Sequence, residues 1–249
     1  MLGDTGHELI DTSTPNTRYK SQNLGTWSST ADVDTFLDTC NHNSGYYGAT
    51  IGSYVTIKDG RFNKEWIIAG FDMEHNNRVN NTTVIDNGYG ICLIPKKSLG
   101  SAVWGKNTDS GYNGSMINTD TLPMVADNLK NVLGDHLIKR NVLLSNNRDS
   151  NYWASSYIKT TAYCTLMSTG QITGIFASST TKYDDGEANY KLPLFNYEAW
   201  NFDTNVWLRG LSGGTALFYS GVHIFTTSGK DDFDSCSSSH SLCPLIYIK

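Results

Sequence analysis

Apolar residues along the chain recur in two periods, and each period marks a different kind of element. Val33, Phe36, Leu37 and Cys40 fall at i, i+3, i+4 and i+7, which is one face of a short helix. Ser29-Thr30-Ala31-Asp32 precedes them as a capping box. Leu122, Val125, Ala126, Leu129, Val132 and Leu133 form a longer helical stripe. Asp120 or Thr119 is placed to cap it, Pro123 fits its first turn, and Gly134 stops it. His136 follows at once and reads as a helix-end or core-edge residue. Strand-like runs occupy residues 52–58, 65–71 and 89–95, with turn signals at Asp59-Gly60 and Asn87-Gly88. Pro95 closes the third run.

Between these elements the chain is polar. Residues 76–81 read as a loop, and residues 98–118 as a long loop held by Trp104 and Tyr112. Residues 145–190 alternate polar stretches with short apolar runs. Their acidic cluster, Asp184-Asp185-Gly186-Glu187, lacks the alternating ligand spacing of a calcium loop and reads as a solvated turn. Residues 1–28 are polar and irregular and read as an N-terminal arm or linker, leaving 29–249 as one domain. Short strands, two helices and Gly/Asn turns predict a mixed α+β fold with long irregular loops, not a βαβ layout.

Composition narrows the function classes. The 19 basic and 24 acidic residues leave a net charge of −5, and the densest basic pairs are Lys139-Arg140 and Lys96-Lys97. Both pairs read as solvated ends of elements, so a nucleic-acid partner is not expected. No apolar run approaches the length of a membrane span, and the first residues have no secretory signal pattern. A place outside the cell would then be reached by another route, such as lysis. The cysteines, Cys40, Cys92, Cys164, Cys236 and Cys243, are scattered without a C-x-x-C. They predict buried reduced thiols and no zinc site, although Cys236 and Cys243 are close enough in sequence to pair.

The stretch from Trp207 to the C-terminus has a character of its own. It opens with Trp207-Leu208-Arg209-Gly210 and closes with the strand-like Pro244-Leu245-Ile246-Tyr247-Ile248. Ser, Gly, Thr, Phe, Tyr and His dominate between them. Binding surfaces use this mixture, because aromatics give contact area at low entropic cost and small polar residues give adaptable hydrogen bonds. A serine-rich surface loop between two core strands has the same composition.

Taken in order, residues 65–72 (EWIIAGFD), 98–104 (SLGSAVW), 121–146, 165–174 (TLMSTGQITG), 183–195 (YDDGEANYKLPLF) and 207–210 (WLRG), with the closing SLCPLIYIK, resemble one family. It is the C-type lectin-fold proteins of phages and gut bacteria, which include the variable proteins of diversity-generating retroelements and phage receptor-binding tail-tip proteins. The resemblance covers roughly residues 50–249. It implies a C-type lectin-like fold that displays a variable segment, about 207–249, from a stable frame. Cys243 stands where the family usually has Arg, and the preceding Gly is absent. By this resemblance Trp207 is a core anchor and Arg209 a buried hydrogen-bonding hub. The displayed residues come from 212–225 and 235–241, with Ser212, Thr215, Phe218, Tyr219, His223, Phe225, Ser238 and His240 expected to contact ligand.

The resemblance therefore implies a phage virion adhesin, not an enzyme. It would be a homotrimer with neighbouring virion subunits, bind a host surface protein or glycan, insert into no membrane, and use no cofactor or metal. A bacterial cell-surface location is the alternative. Three other readings remain. One is a structural or decoration virion protein without a ligand. Another is a formylglycine-generating-enzyme-like oxidase using Cys236 and Cys243, whose flanks do not match that family. The third is a hydrolase built from Ser239, His240 and Asp234, which has no G-x-S-x-G elbow to support it. Trp200-Asn201-Phe202-Asp203 only loosely resembles a calcium-lectin motif.

Overall fold

Every side chain from Pro244 to Ile248 is buried, on both faces of a strand that lies inside a sheet and not at its edge. The computed structural model describes residues 15–73, 77–79, 83–85, 88–148, 154–174, 191–197, 202–211 and 221–249. In chain order the first strands are β1 (Asn23–Trp27), β2 (Tyr54–Ile57), β3 (Lys64–Phe71), β4 (Asn77–Val79), β5 (Thr83–Ile85), β6 (Ile91–Pro95) and β7 (Ser101–Val103). They are followed by β8 (Arg140–Arg148), β9 (Ala154–Ala162), β10 (Cys164–Leu166), β11 (Val206–Leu211), β12 (Gly221–Phe225), β13 (Asp231–Ser235), β14 (Ser239–Ser241) and β15 (Pro244–Ile248). The helices are α1 (Thr30–Thr39), α2 (Leu122–Leu133) and the single-turn α3 (Thr169–Thr173). The fold is α+β.

One sheet has the order β1-β2-β3-β6-β15-β10 and a second the order β13-β12-β11-β14-β7. β4–β5 and β8–β9 form separate antiparallel hairpins. Only the β1–β2 pairing is parallel in the first sheet. The two sheets meet where Arg209 N donates to Met167 O (3.1 Å) and where Leu99 N donates to Leu242 O (2.9 Å).

The two long helices follow from local chemistry. The Asp32 carboxylate accepts from Ser28 N (2.7 Å), Ser29 N (3.0 Å) and Ser29 Oγ (3.1 Å). These bonds, that from Ser28 N foremost, hold its carboxyl below the usual range. All six residues of the α2 stripe are buried. The helix is entered through one π-helical turn, Ile117–Thr121, so Thr119 and Asp120 sit within a continuous helical path and do not cap it. His136, just past α2, ties that helix to the middle of α1 and to the last residue, with Nε2 2.7 Å from Asp34 Oδ1 and Nδ1 2.9 Å from the Lys249 carbonyl.

Four further expectations change. Residues 15–28 are woven into the fold and do not form an arm. Asn16 bridges both backbone groups of Phe71, Tyr19 bridges Ile51, and β1 flanks β2. Residues 77–79 are a strand, not loop. Residues 98–118 supply β7, and their aromatics, Trp104 and Tyr112, are fully buried. Arg140 is not a solvated end: its guanidinium lies 4.5 Å over Tyr247 and donates to Thr165 Oγ1 at 2.8 Å. The Asn87 turn residue and the 184–187 cluster lie outside the described residues.

The long loop is held by backbone as well as by rings. Tyr112 N donates to Ser145 Oγ (2.9 Å), and the Tyr112 hydroxyl accepts from Leu166 N (2.8 Å). Gly111, at φ +61°, lies so close to β8 that a Cβ would meet Ser145 O at 2.6 Å.

Leu129 is fully buried in the stripe, so Leu129→Ala should cost about 2–5 kcal/mol, measured as a lower urea midpoint at unchanged slope. The exposed neighbour change Asn131→Ala should leave the midpoint within about 0.5 kcal/mol.

Candidate functional site

The second sheet is built almost wholly from the C-terminal segment, with β7 from the long loop as one edge. β11 is its axis, and all six of its residues are buried. Trp207 is buried, its Nε1 donates to Ala102 O of β7 at 2.7 Å, and its ring meets His240 edge-on at 4.5 Å. Arg209 is also buried. Burial pushes the Tyr112 phenol up, while the bond from Leu166 N and the Arg209 and Arg140 charges draw it back. The Arg209 guanidinium therefore acts on the same buried node as the long loop.

The outer strands carry the polar chemistry. In the β12–β13 register His223 faces Phe233, and Phe225 faces Asp231. Asp231 is thus the diagonal neighbour of His223 on the same face. His223 Nδ1 lies 2.9 and 3.0 Å from the two Asp231 oxygens, a forked contact that staples the edge strand to β12. One turn further on, His240 Nε2 donates to Asp234 Oδ2 at 2.7 Å, closing the bend between β13 and β14. Burial raises the Asp234 carboxyl, but the bonds from His240, Ser235 N and Ser238 together outweigh it and leave it lowered. His223 and His240 keep only 14% of their side-chain surface exposed, so each presents an edge and not a free ring.

The expected contact residues divide accordingly. His223, Ser238 and His240 are half-buried along the outer strands. Phe225 is a correction: although it shares the strand face of His223, it is buried, because Phe202 packs edge-on against it at 6.1 Å. Ser212, Thr215, Phe218 and Tyr219 lie outside the described residues. Phe233, not among the expected contacts, is 40% exposed among Asp231, Asp232 and Asp234 on the edge strand. An aromatic between acidic residues, with no apolar partner at strand spacing, was the signal for it.

Two alternative chemistries can be checked geometrically. Asp234 and His240 do meet, but no hydroxyl, Ser239 included, lies in hydrogen-bond reach of the other His240 nitrogen among the described residues. All five cysteines are buried free thiols, and burial pushes Cys40, Cys164 and Cys243 to about 12. Among the described residues no three His, Cys, Asp or Glu side chains gather in a metal-holding group, and no helix is long and apolar enough to cross a membrane. Comparison with family models, curated proteins and solved structures gives no match.

Asp234 is held below its unfolded value near 3.9, so its contribution is complete above about pH 4 and is lost as the pH falls through the lower folded value. Asp234→Asn should cost about 0.2–1 kcal/mol at pH 7, since the carboxylate is partly exposed. Between about pH 4 and pH 2 the wild type should lose more stability than the variant. Denaturant midpoints across that range measure the convergence.

Proposed function

We propose that the protein is an adhesin, a phage receptor-binding protein with a C-type lectin-like fold that attaches to a host cell surface through its C-terminal segment. The observation that carries this reading is the contrast within one segment. Its two ends, β11 and β15, are buried at every residue, whereas β13, Ser237 and Ser238 are exposed or half-exposed. A segment anchored in this way can change its outer side chains without disturbing the frame. Side chains on β13 and the β13–β14 bend pay little in mobility on binding, because His223–Asp231 and His240–Asp234 already fix the backbone.

Affinity then comes from a few aromatic anchors bordered by small polar groups. Phe233 is the exposed anchor, with Ser237 and Ser239 exposed beside it and Ser238 half-exposed. Phe218 and Tyr219, expected from the family resemblance, would add to it. The ligand is a host surface protein or glycan. A homotrimeric assembly among virion subunits would convert weak single sites into firm attachment. The buried cysteines, and a His–Asp pair with no nucleophile in reach, favour binding over catalysis.

Binding of labelled protein to a panel of bacterial strains tests this. At least one strain should bind the wild type. Phe233→Ala should weaken that binding by about thirtyfold, as loss of a roughly 2 kcal/mol anchor does, with unchanged melting. Joint replacement of Thr215, Phe218 and Tyr219 by Ala should also weaken it. Equal binding by all variants would move the site off this segment, and binding to no strain would favour a structural virion protein.

A further inference from the structure

A second site lies away from the display sheet, between α2 and the β8–β9 hairpin. Two cavities, of about 280 and 390 Å³, share Lys130, Lys139 and Tyr163 in their walls. Lys130 Nζ sits 3.9 Å and Lys139 Nζ 5.8 Å from the centre of the Tyr163 ring. No ion pair joins either lysine to a carboxylate among the described residues. Both ammonium groups lie by one ring in the wall of both cavities and add their positive potentials there, which an anion held beside them lowers.

The inner cavity has the opposite polarity. Asn113 Nδ2 is committed to Asn146 Oδ1 (3.0 Å) and Asn118 Nδ2 to the Asn113 carbonyl (2.9 Å). Both amide oxygens therefore remain as acceptors, and the Asp127 carboxylate lines the same wall. Leu122, Pro123 and Ala126 of α2 and Leu144 of β8 supply the apolar part of the lining. At about 280 Å³ this cavity stands at the small end of ligand sites, roughly 300–1,000 Å³, and holds a single ring.

A ligand that complements these walls brings hydroxyl donors for the inner acceptors, a C–H face for the apolar side and a negative group for the lysines. We infer that this pocket binds an acidic sugar residue, its carboxylate between Lys130 and Lys139 and its hydroxyls on Asn113, Asn118 and Asp127. The site is independent of the adhesin reading, since none of its residues belongs to the C-terminal segment.

Saturation-transfer NMR on the intact chain with D-glucuronate, D-glucose and acetate tests it. Glucuronate should bind at least tenfold more tightly than either control. The paired changes Lys130→Met and Lys139→Met keep the aliphatic stems over Tyr163 and should weaken glucuronate at least tenfold without lowering the melting temperature. Asn118→Leu should weaken glucuronate but leave acetate unchanged. The proposal is overturned if glucuronate gives no signal, if acetate or glucose matches it, or if the doubly substituted protein, melting like wild type, binds it equally.

Discussion

The structure depends on the burial of its last strand. β15 is paired on both edges, to β6 and β10, and is buried at every side chain. A strand in that position cannot shift register or peel away without undoing the first sheet, because a one-residue slip would reverse every side chain. Upstream, β11 is equally buried and holds Trp207 and Arg209 inside the molecule. The chain between these strands is therefore a tether with two fixed ends. From 221 to 243 its path is set by β12, β13 and β14, so its freedom there lies in side chains, which is what separates a display surface from a mobile loop.

The same frame explains why the long 98–118 connection is ordered. β7 closes the second sheet, Trp207 bonds to it through Ala102 O, and Tyr112 joins it to β8 and β10. Sequence-distant segments thus meet around Trp207 and Tyr112, whose polar atoms are bonded. Such rings contribute large apolar area, and their polar tips fix orientation. The two His–Asp pairs act at the periphery, where they hold the edge strand and its bend but add little to global stability.

Much of the frame was legible because it is local. The 3.6-residue stripe of α2, the capping box of α1 and the buried run of β6 depend on neighbours a few positions away. The strand character of 77–79 and 101–103 was hidden, because such three-residue strands owe their state to a partner and not to propensity. Arg140 reads as surface until Tyr247, far along the chain, is found stacked beneath it. In the candidate site the fixed ends were legible from WLRG and PLIYI. Phe225 and Phe233 were not distinguishable as buried and exposed, since the register sets them on one face and only Phe202, from outside both strands, covers Phe225. The His–Asp staples depend on a hairpin register and on a bend, and neither has a sequence signature here.

The central claim is that a rigid frame holds an exposed segment between two immovable strands. Hydrogen exchange read by mass spectrometry tests it most directly. Amides of 206–211 and 244–248 should exchange only through global unfolding, with the full denaturant dependence of unfolding, while those of the 226–230 turn and the 236–238 bend exchange far sooner. Early, local exchange in 244–248 would contradict it, because the segment would then hang from a loose end and not from a frame.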